Sequence, residues 1–203
     1  MNRWYTEKKR EHYYKKAKKN GYRSRSAFKL LQINKKFKLI VKNDVVIDLG
    51  AAPGGWSQVA KEIVGQKGTV VGIDISSIKA DDGIVFLRGD ITKEESINKL
   101  RQFIGNREVD VIISDMSPNI SGNYSVDQAR SVFLCEQALK TTNIFLKKDG
   151  NFLCKIFEGQ DLEIIIKKIK SMFKIVKQFN PPASRKTSSE VYIIAKSFIK
   201  NYY

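Results

Sequence analysis

From residue 45 onward, short β-branched runs alternate with longer stretches whose apolar residues recur at helical spacing. Residues 45–49 (VVIDL) read as a strand closed by Gly50, and residues 56–64 as a helix stopped at Gly65. The same pattern predicts further strands at 69–75, 84–87, 109–114 and 151–157, with helices at 93–104, 126–147 and 161–173. The chain then closes on two successive strands, 174–179 and 190–197, around a loop whose Pro181-Pro182 pair forbids regular ladder bonding. Alternating βα units predict an α/β sandwich with a mostly parallel sheet. Two strands in succession at the end predict one antiparallel strand at or near an edge. Upstream, residues 24–37 place Phe28, Leu31 and Phe37 at helical spacing, so part of the amino-terminal segment is expected to pack on the domain.

Composition narrows the picture. The 203 residues are 42% hydrophobic and 29% charged, which suits one globular domain. No run of 18 apolar residues offers a transmembrane helix, and the first 20 residues lack the apolar core of a secretion signal. An intracellular protein is expected, cytoplasmic or organellar. Two cysteines, Cys135 and Cys154, and one histidine, His12, are too few for a zinc site, and serine- or cysteine-histidine catalysis is disfavoured because that histidine would have to serve from a Lys-rich terminus. No metal is expected.

The net charge of +16 is unevenly placed. Residues 1–42 hold fifteen Lys and Arg against Glu7 and Glu11, an excess of thirteen; the remaining 161 residues carry an excess of three. Trp4, Tyr5, Tyr13, Tyr14 and Tyr22 lie among those cations, a mixture that neutralises phosphates and stacks on bases. RNA is the partner this favours over a membrane. A solvated helix face, a disordered tail or a targeting peptide are the plainer alternatives.

The strand ends carry the candidate chemistry, because ligands of open α/β sheets sit there. After the first strand comes Asp48-Leu49-Gly50-Ala51-Ala52-Pro53-Gly54-Gly55-Trp56, where small residues admit a ligand close to the backbone. Asp74 follows the second strand at the distance suited to ribose hydroxyls, Asp90 the third, and Asp115 the fourth. Four strand-end carboxylates around a glycine turn suit a nucleoside. The turn is not G-x-G-x-x-G, and Pro53 removes an amide that a pyrophosphate would need. S-adenosylmethionine, with no phosphate and a cationic sulfonium, fits better than a dinucleotide; a plain βα turn and an NAD-dependent enzyme are the alternatives.

Longer motifs add a resemblance. GYRSRSAFKL at 21–30, VIDLGAAPGGWSQ at 46–58, SDMSPNISG at 114–122, FLCKIFEG at 152–159 and SRKTSSEVYIIA at 184–195 resemble the FtsJ/RrmJ family of RNA ribose 2'-O-methyltransferases, over about residues 13–197. The resemblance implies a Rossmann-like S-adenosylmethionine-dependent methyltransferase fold, with a seven-stranded, mostly parallel sheet and one antiparallel strand. It implies a Lys-Asp-Lys-Glu tetrad at Lys29, Asp115, Lys155 and Glu190, and cofactor contacts at Gly54, Gly55, Trp56, Asp74, Asp90 and Asp115. The loop 76–83 departs from the family pattern in lacking a proline.

On this reading residues 1–42 form a basic RNA-binding arm with a helix packed on the domain, and residues 43–203 the methyltransferase domain. Lys155 would activate the ribose hydroxyl and Asp115 orient it; Lys29 would fix the ribose or a phosphate, and Glu190 orient a lysine. Arg185 and Lys186 are candidate phosphate contacts. A uridine of large-subunit ribosomal RNA is the substrate expected of a monomer of this length, with a tRNA-modifying relative or a non-catalytic ribosome-assembly protein as alternatives.

Overall fold

The computed structural model describes residues 12–185 and 188–199. Residues 12–19 are helical (α1). They are followed by α2 (Ala27–Phe37), β1 (Val45–Leu49), α3 (Gly55–Val64), β2 (Thr69–Asp74), β3 (Ile84–Arg88), α4 (Glu94–Ile104), β4 (Val109–Ser114), α5 (Tyr124–Phe145), β5 (Leu146–Phe157), α6 (Leu162–Met172), β6 (Phe173–Phe179) and β7 (Glu190–Phe198). One seven-stranded sheet runs in the order β3-β2-β1-β4-β5-β7-β6. Strands β1 to β5 pair in parallel, while β7 is antiparallel to both β5 and β6. The expected antiparallel strand is therefore one place in from the edge that β6 forms.

Period-two alternation sends neighbouring side chains to opposite faces, so each central strand feeds two cores. Ile47, Ile112, Phe152, Cys154 and Ile193 pack with Leu100 of α4, Leu139 of α5 and Ile165 and Ile169 of α6. Val46, Val111, Leu153, Tyr192 and Ile194 pack with α2 and α3 on the other face. The result is a three-layer αβα sandwich with a Rossmann-like sheet. Among the described residues no helix is long and apolar enough to cross a membrane.

Several boundaries differ from the sequence expectation for local reasons. Helix α5 starts at Tyr124, not 126, because the Asn123 side chain accepts from the Ser125 and Val126 amides and caps it. It stops at Phe145, and β5 begins at once: Leu146 pairs with Val109, and a register irregularity absorbs residues 147–150 before Asn151 pairs with Val111. In α2 the fully buried stripe is Ala27, Leu30 and Ile33, whereas Leu31 and Phe37 are only partly covered. Of the expected stripe Phe28 is buried, but the centre of the buried face lies at Ala27, Leu30 and Ile33 and not at Leu31 and Phe37. That shift turns Lys29 inward, where it is buried.

One buried side chain spans the turn between α2 and β1. Asn34, buried at the end of α2, accepts from the Ile40 amide at 2.8 Å and donates to the Ile40 carbonyl at 3.0 Å. Asn34→Ala strands both groups inside, at a cost of about 2 kcal/mol. The melting temperature is expected to fall by roughly 4–8 °C, measured by circular dichroism; an unchanged melt would show the turn closes without this pair.

Candidate active site

The carboxyl ends of β1, β2, β3 and β4 surround a cleft of about 320 Å³. It lies where the sheet order reverses between β1 and β4, the position at which such sheets bind ligands. Asp74, Asp90 and Asp115 line it, with Gly50, Ala52, Ser76 and Met116. The Asp74 carboxylate accepts from the Ala52 amide at 3.0 Å and the Ser76 amide at 2.8 Å, so it ties the turn after β1 to the loop after β2. The Thr92 amide and hydroxyl, at 2.9 and 2.8 Å, hold the Asp90 carboxyl below its ordinary range.

Gly54, Gly55 and Trp56 lie outside the lining of this cleft. Gly54 has φ of 110°, and a Cβ there would meet the Arg23 guanidinium at 3.0 Å. A Cβ on Gly55 would meet the Ser24 hydroxyl at 2.3 Å. On the side where a Cβ of Gly54 or Gly55 would stand, residues 23 and 24 of the basic segment pack against the turn. Trp56 is buried, donates from Nε1 to the Ser26 carbonyl at 2.9 Å, and packs its ring 5.8 Å from that of Tyr192.

Lys29, Asp115, Lys155 and Glu190 form one cluster at the edge of the cleft. Lys155 donates from Nζ to the Asp115 carbonyl at 2.7 Å and lies 3.1 Å from Asp115 Oδ1. Lys29 Nζ lies 2.7 Å from Glu190 Oε2, while Glu190 Oε1 lies 4.0 Å from Lys155 Nζ. Tyr192 completes the ring of contacts: Lys29 donates to its hydroxyl at 2.9 Å, and that hydroxyl donates to Asp115 Oδ1 at 2.9 Å. Sequence reasoning passed over Tyr192. The signal was present, since Glu190 and Tyr192 stand two apart on a strand and so share a face.

Two ammoniums and two carboxylates balance in charge, which is the arrangement that makes their burial tolerable. Burial alone would raise the Glu190 carboxyl, but Lys29 and Lys155 prevail and hold it below its ordinary value. Burial, aided by Asp115 and Glu190, pushes the Tyr192 phenol well above its ordinary value, so it stays protonated and bridges.

Less of the basic segment is available for stacking than its composition suggested. Tyr13 and Tyr22 pack 5.4 and 5.7 Å from the Phe28 ring, and the Tyr22 hydroxyl donates to Glu62. Tyr14 is exposed. Trp4, Tyr5 and Lys186 lie outside the described residues, and Arg185 is exposed. Cys135 and Cys154 are buried with their Sγ atoms 3.4 Å apart.

Asp48 ends β1 wholly buried. Its Oδ2 accepts from the Ser57 hydroxyl at 2.6 Å, whereas Oδ1 has no partner among the described residues. Burial pushes its carboxyl up to about 7, with Asp115 and Asp74 adding to the effect and the Ser57 bond opposing it. The folded chain therefore binds this proton more tightly than the unfolded chain does. Stability from that proton is complete below about pH 4 and is lost as pH rises to about 7, by at most roughly 4 kcal/mol. Urea unfolding of the wild type and Asp48→Asn across pH 4–8 is expected to show the wild type losing ground to the variant over this window; a constant difference would contradict it.

Comparison with known proteins places this geometry. The sequence profile of the FtsJ-like methyltransferases matches residues 22–198. A ribosomal RNA large subunit methyltransferase E of Methanocaldococcus jannaschii is 50% identical over 200 residues, which are 97% of this chain and 82% of that protein. Its counterpart in Halorubrum lacusprofundi is 47% identical over 189 residues, 92% of this chain and 70% of that one. The crystal structure of a ribosomal RNA methyltransferase from Plasmodium falciparum superposes with a TM-score of 0.81 at 27% identity, covering 89% of this chain and all of that one. With a cleft at the switch point, a charged cluster beside it and a match across nearly the whole chain, this protein belongs to the FtsJ-like methyltransferase family.

Proposed function

We propose that the chain transfers a methyl group from S-adenosylmethionine to a ribose 2'-hydroxyl of RNA, a uridine of large-subunit ribosomal RNA being the favoured target. The single observation that carries the reading is the double position of Asp115. It lines the cleft, and its carboxylate pairs with Lys155 and accepts from the Tyr192 hydroxyl, so one carboxylate joins a nucleoside-sized cleft to a polar cluster able to handle a hydroxyl proton. The names of the relatives favour ribosomal RNA over tRNA.

The cleft suits this donor by its chemistry. Three carboxylates line it, which favours a cation and accepts from hydroxyl and amino groups. Asp48, with Oδ1 unpartnered, adds a fourth acidic group close to Asp115 and Asp74. Asp74 and Asp90 would hold the nucleoside end, and Gly54, Gly55 and Trp56 would serve through the backbone of the turn that they close. Bound there, S-adenosylmethionine supplies an electrophilic methyl group.

The chain's own residues do the rest. Lys155, held by the Asp115 carbonyl and carboxylate, takes up the hydroxyl proton at Nζ after its resting ammonium has released a proton to solvent. Asp115 and Glu190 fix that ammonium in place, and Lys29, anchored by Glu190 and Tyr192, faces the ribose or its phosphate. Much of the rate comes from holding the oxygen in line with the methyl. Basic residues of the first 42 hold the RNA, and the enzyme works inside the cell as a monomer.

The test uses labelled S-adenosylmethionine with large ribosomal subunits that lack the modification, followed by mapping of the 2'-O-methyl nucleotide. Transfer to one ribose is expected; transfer to a base, or none to subunits or naked RNA, would overturn the reading. Lys155→Ala is expected to lower turnover by roughly 10²–10⁴-fold and to leave donor affinity within a few-fold. Retained turnover would remove Lys155 from its role.

A further inference from the structure

We infer that Arg23, a residue of the basic amino-terminal segment, is a positioning residue for the methyl donor. It acts by clamping the loop 75–83 that borders the cleft. The inference rests on the reading of that cleft as the donor site. Ile75 and Ser76 line the cleft, and Ser76 is bonded to Asp74. The residues that follow, 77–83, form no helix or strand beyond an isolated bridge from Asp81 to Ile84, and contain no proline. By local sequence this loop is pliable.

Its order comes from outside. The Arg23 guanidinium donates to the Lys79 carbonyl at 2.5 Å and the Ala80 carbonyl at 2.7 Å, and pairs with Asp81 Oδ2 at 3.1 Å. It also reaches the Pro53 carbonyl at 3.4 Å and lies 5.5 Å from the centre of the Phe86 ring. One rigid fork of donors thus joins the turn after β1 to the loop after β2, the two segments that flank the donor cleft. A guanidinium can make these bonds together because its donors are planar and fixed in direction; an ammonium is a single point. The Arg23 amide in turn donates to Gln58 Oε1 at 2.9 Å, which seats the segment on α3. Absence of side chains at Gly54 and Gly55 leaves room for this seating.

Arg23 lies outside the lining of the cleft, so its influence on the donor must pass through the loop. It also lies six residues before Lys29 in the segment proposed to hold RNA. Donor binding and RNA binding then share one element, and any tightening of one by the other is reciprocal.

S-adenosylmethionine is titrated calorimetrically, with no RNA present, into the wild type, Arg23→Ala, Arg23→Lys, Asp81→Ala and the double variant of Arg23 and Asp81 to Ala. Arg23→Ala is expected to weaken the donor by roughly tenfold, Arg23→Lys to recover little of it, and Asp81→Ala to cost less. The double variant is expected to be no worse than Arg23→Ala alone, because both changes release the same loop. In turnover, KM for the donor is expected to rise more than KM for RNA. Donor affinity within twofold of wild type in Arg23→Ala, with RNA affinity reduced, would make Arg23 an RNA contact alone and overturn the inference. Should Arg23→Ala fail to fold, an unchanged donor affinity in the surface variant Asp81→Ala together with Arg23→Lys would overturn it as well. A wild type that does not bind S-adenosylmethionine would overturn the donor reading itself.

Discussion

The antiparallel pairing of β7 with β5 is the constraint on which the active cluster depends. In a wholly parallel sheet a strand arriving at this position would present its last residues at the end where ligands bind. Because β7 runs the other way, its first residues arrive there, and Lys155 is paired with Tyr192 and Phe157 with Glu190. A slip of one residue would send Tyr192 and Glu190 to the opposite face, into the layer of α4, α5 and α6. The register is held by the buried alternation of Val191, Ile193 and Ala195 against Tyr192 and Ile194. Hydrophobic packing along the strand thus fixes a polar geometry at its tip.

The cluster places ionisable groups in a poorly solvated site, and its composition explains how that is stable. Lys29 and Lys155 oppose Asp115 and Glu190, with Tyr192 as a neutral bridge that satisfies Lys29 and Asp115 together. Deleting any one charge leaves its partner buried and uncompensated, a larger loss than the pair itself is worth. Asp48 has no such partner, and its carboxyl is accordingly pushed up toward neutrality. Glu190 and Asp48 therefore differ in character, because Glu190 faces ammoniums, whereas Asp48 is more deeply buried and faces further carboxylates.

Much of this was legible in the chain. The strands 45–49, 109–114 and 190–197 were marked by β-branched alternation, and Asp48, Asp74, Asp90 and Asp115 followed from their positions at strand ends, whereas Glu190 came only from the family resemblance. The motif around Lys29, Asp115, Lys155 and Glu190 named the cluster before its distances were known, yet not Tyr192, which reads as an ordinary core aromatic in a run of β-branched residues. Local pattern also misjudged the start of β5, because Leu146 joins the sheet through pairing with Val109, a contact 37 residues away in sequence. A Cβ at Gly54 or Gly55 would meet Arg23 or Ser24, a packing that the glycines of the turn did not announce. The start of β5 and the seating of Arg23 and Ser24 are long-range contacts, which composition and periodicity do not encode, whereas the shared face of Glu190 and Tyr192 lay within reach of the period of two.

The basic segment, finally, has more than one physical task, and its charge does not report which. Of its aromatics, Tyr13 and Tyr22 clasp Phe28, while Tyr14 stays exposed. Of its cations, Lys29 enters the buried cluster and Arg23 clamps a neutral backbone loop as well as Asp81. A net excess of thirteen charges in 42 residues would attract any polyanion through a long-range, salt-sensitive field. Lys29 and Arg23 are instead held by short, directional bonds in partly buried places, which salt screens far less. Attraction and placement are therefore separable within one segment: exposed cations contribute the long-range field, whereas Arg23 and Lys29 join the segment to the cleft and to the cluster beside it.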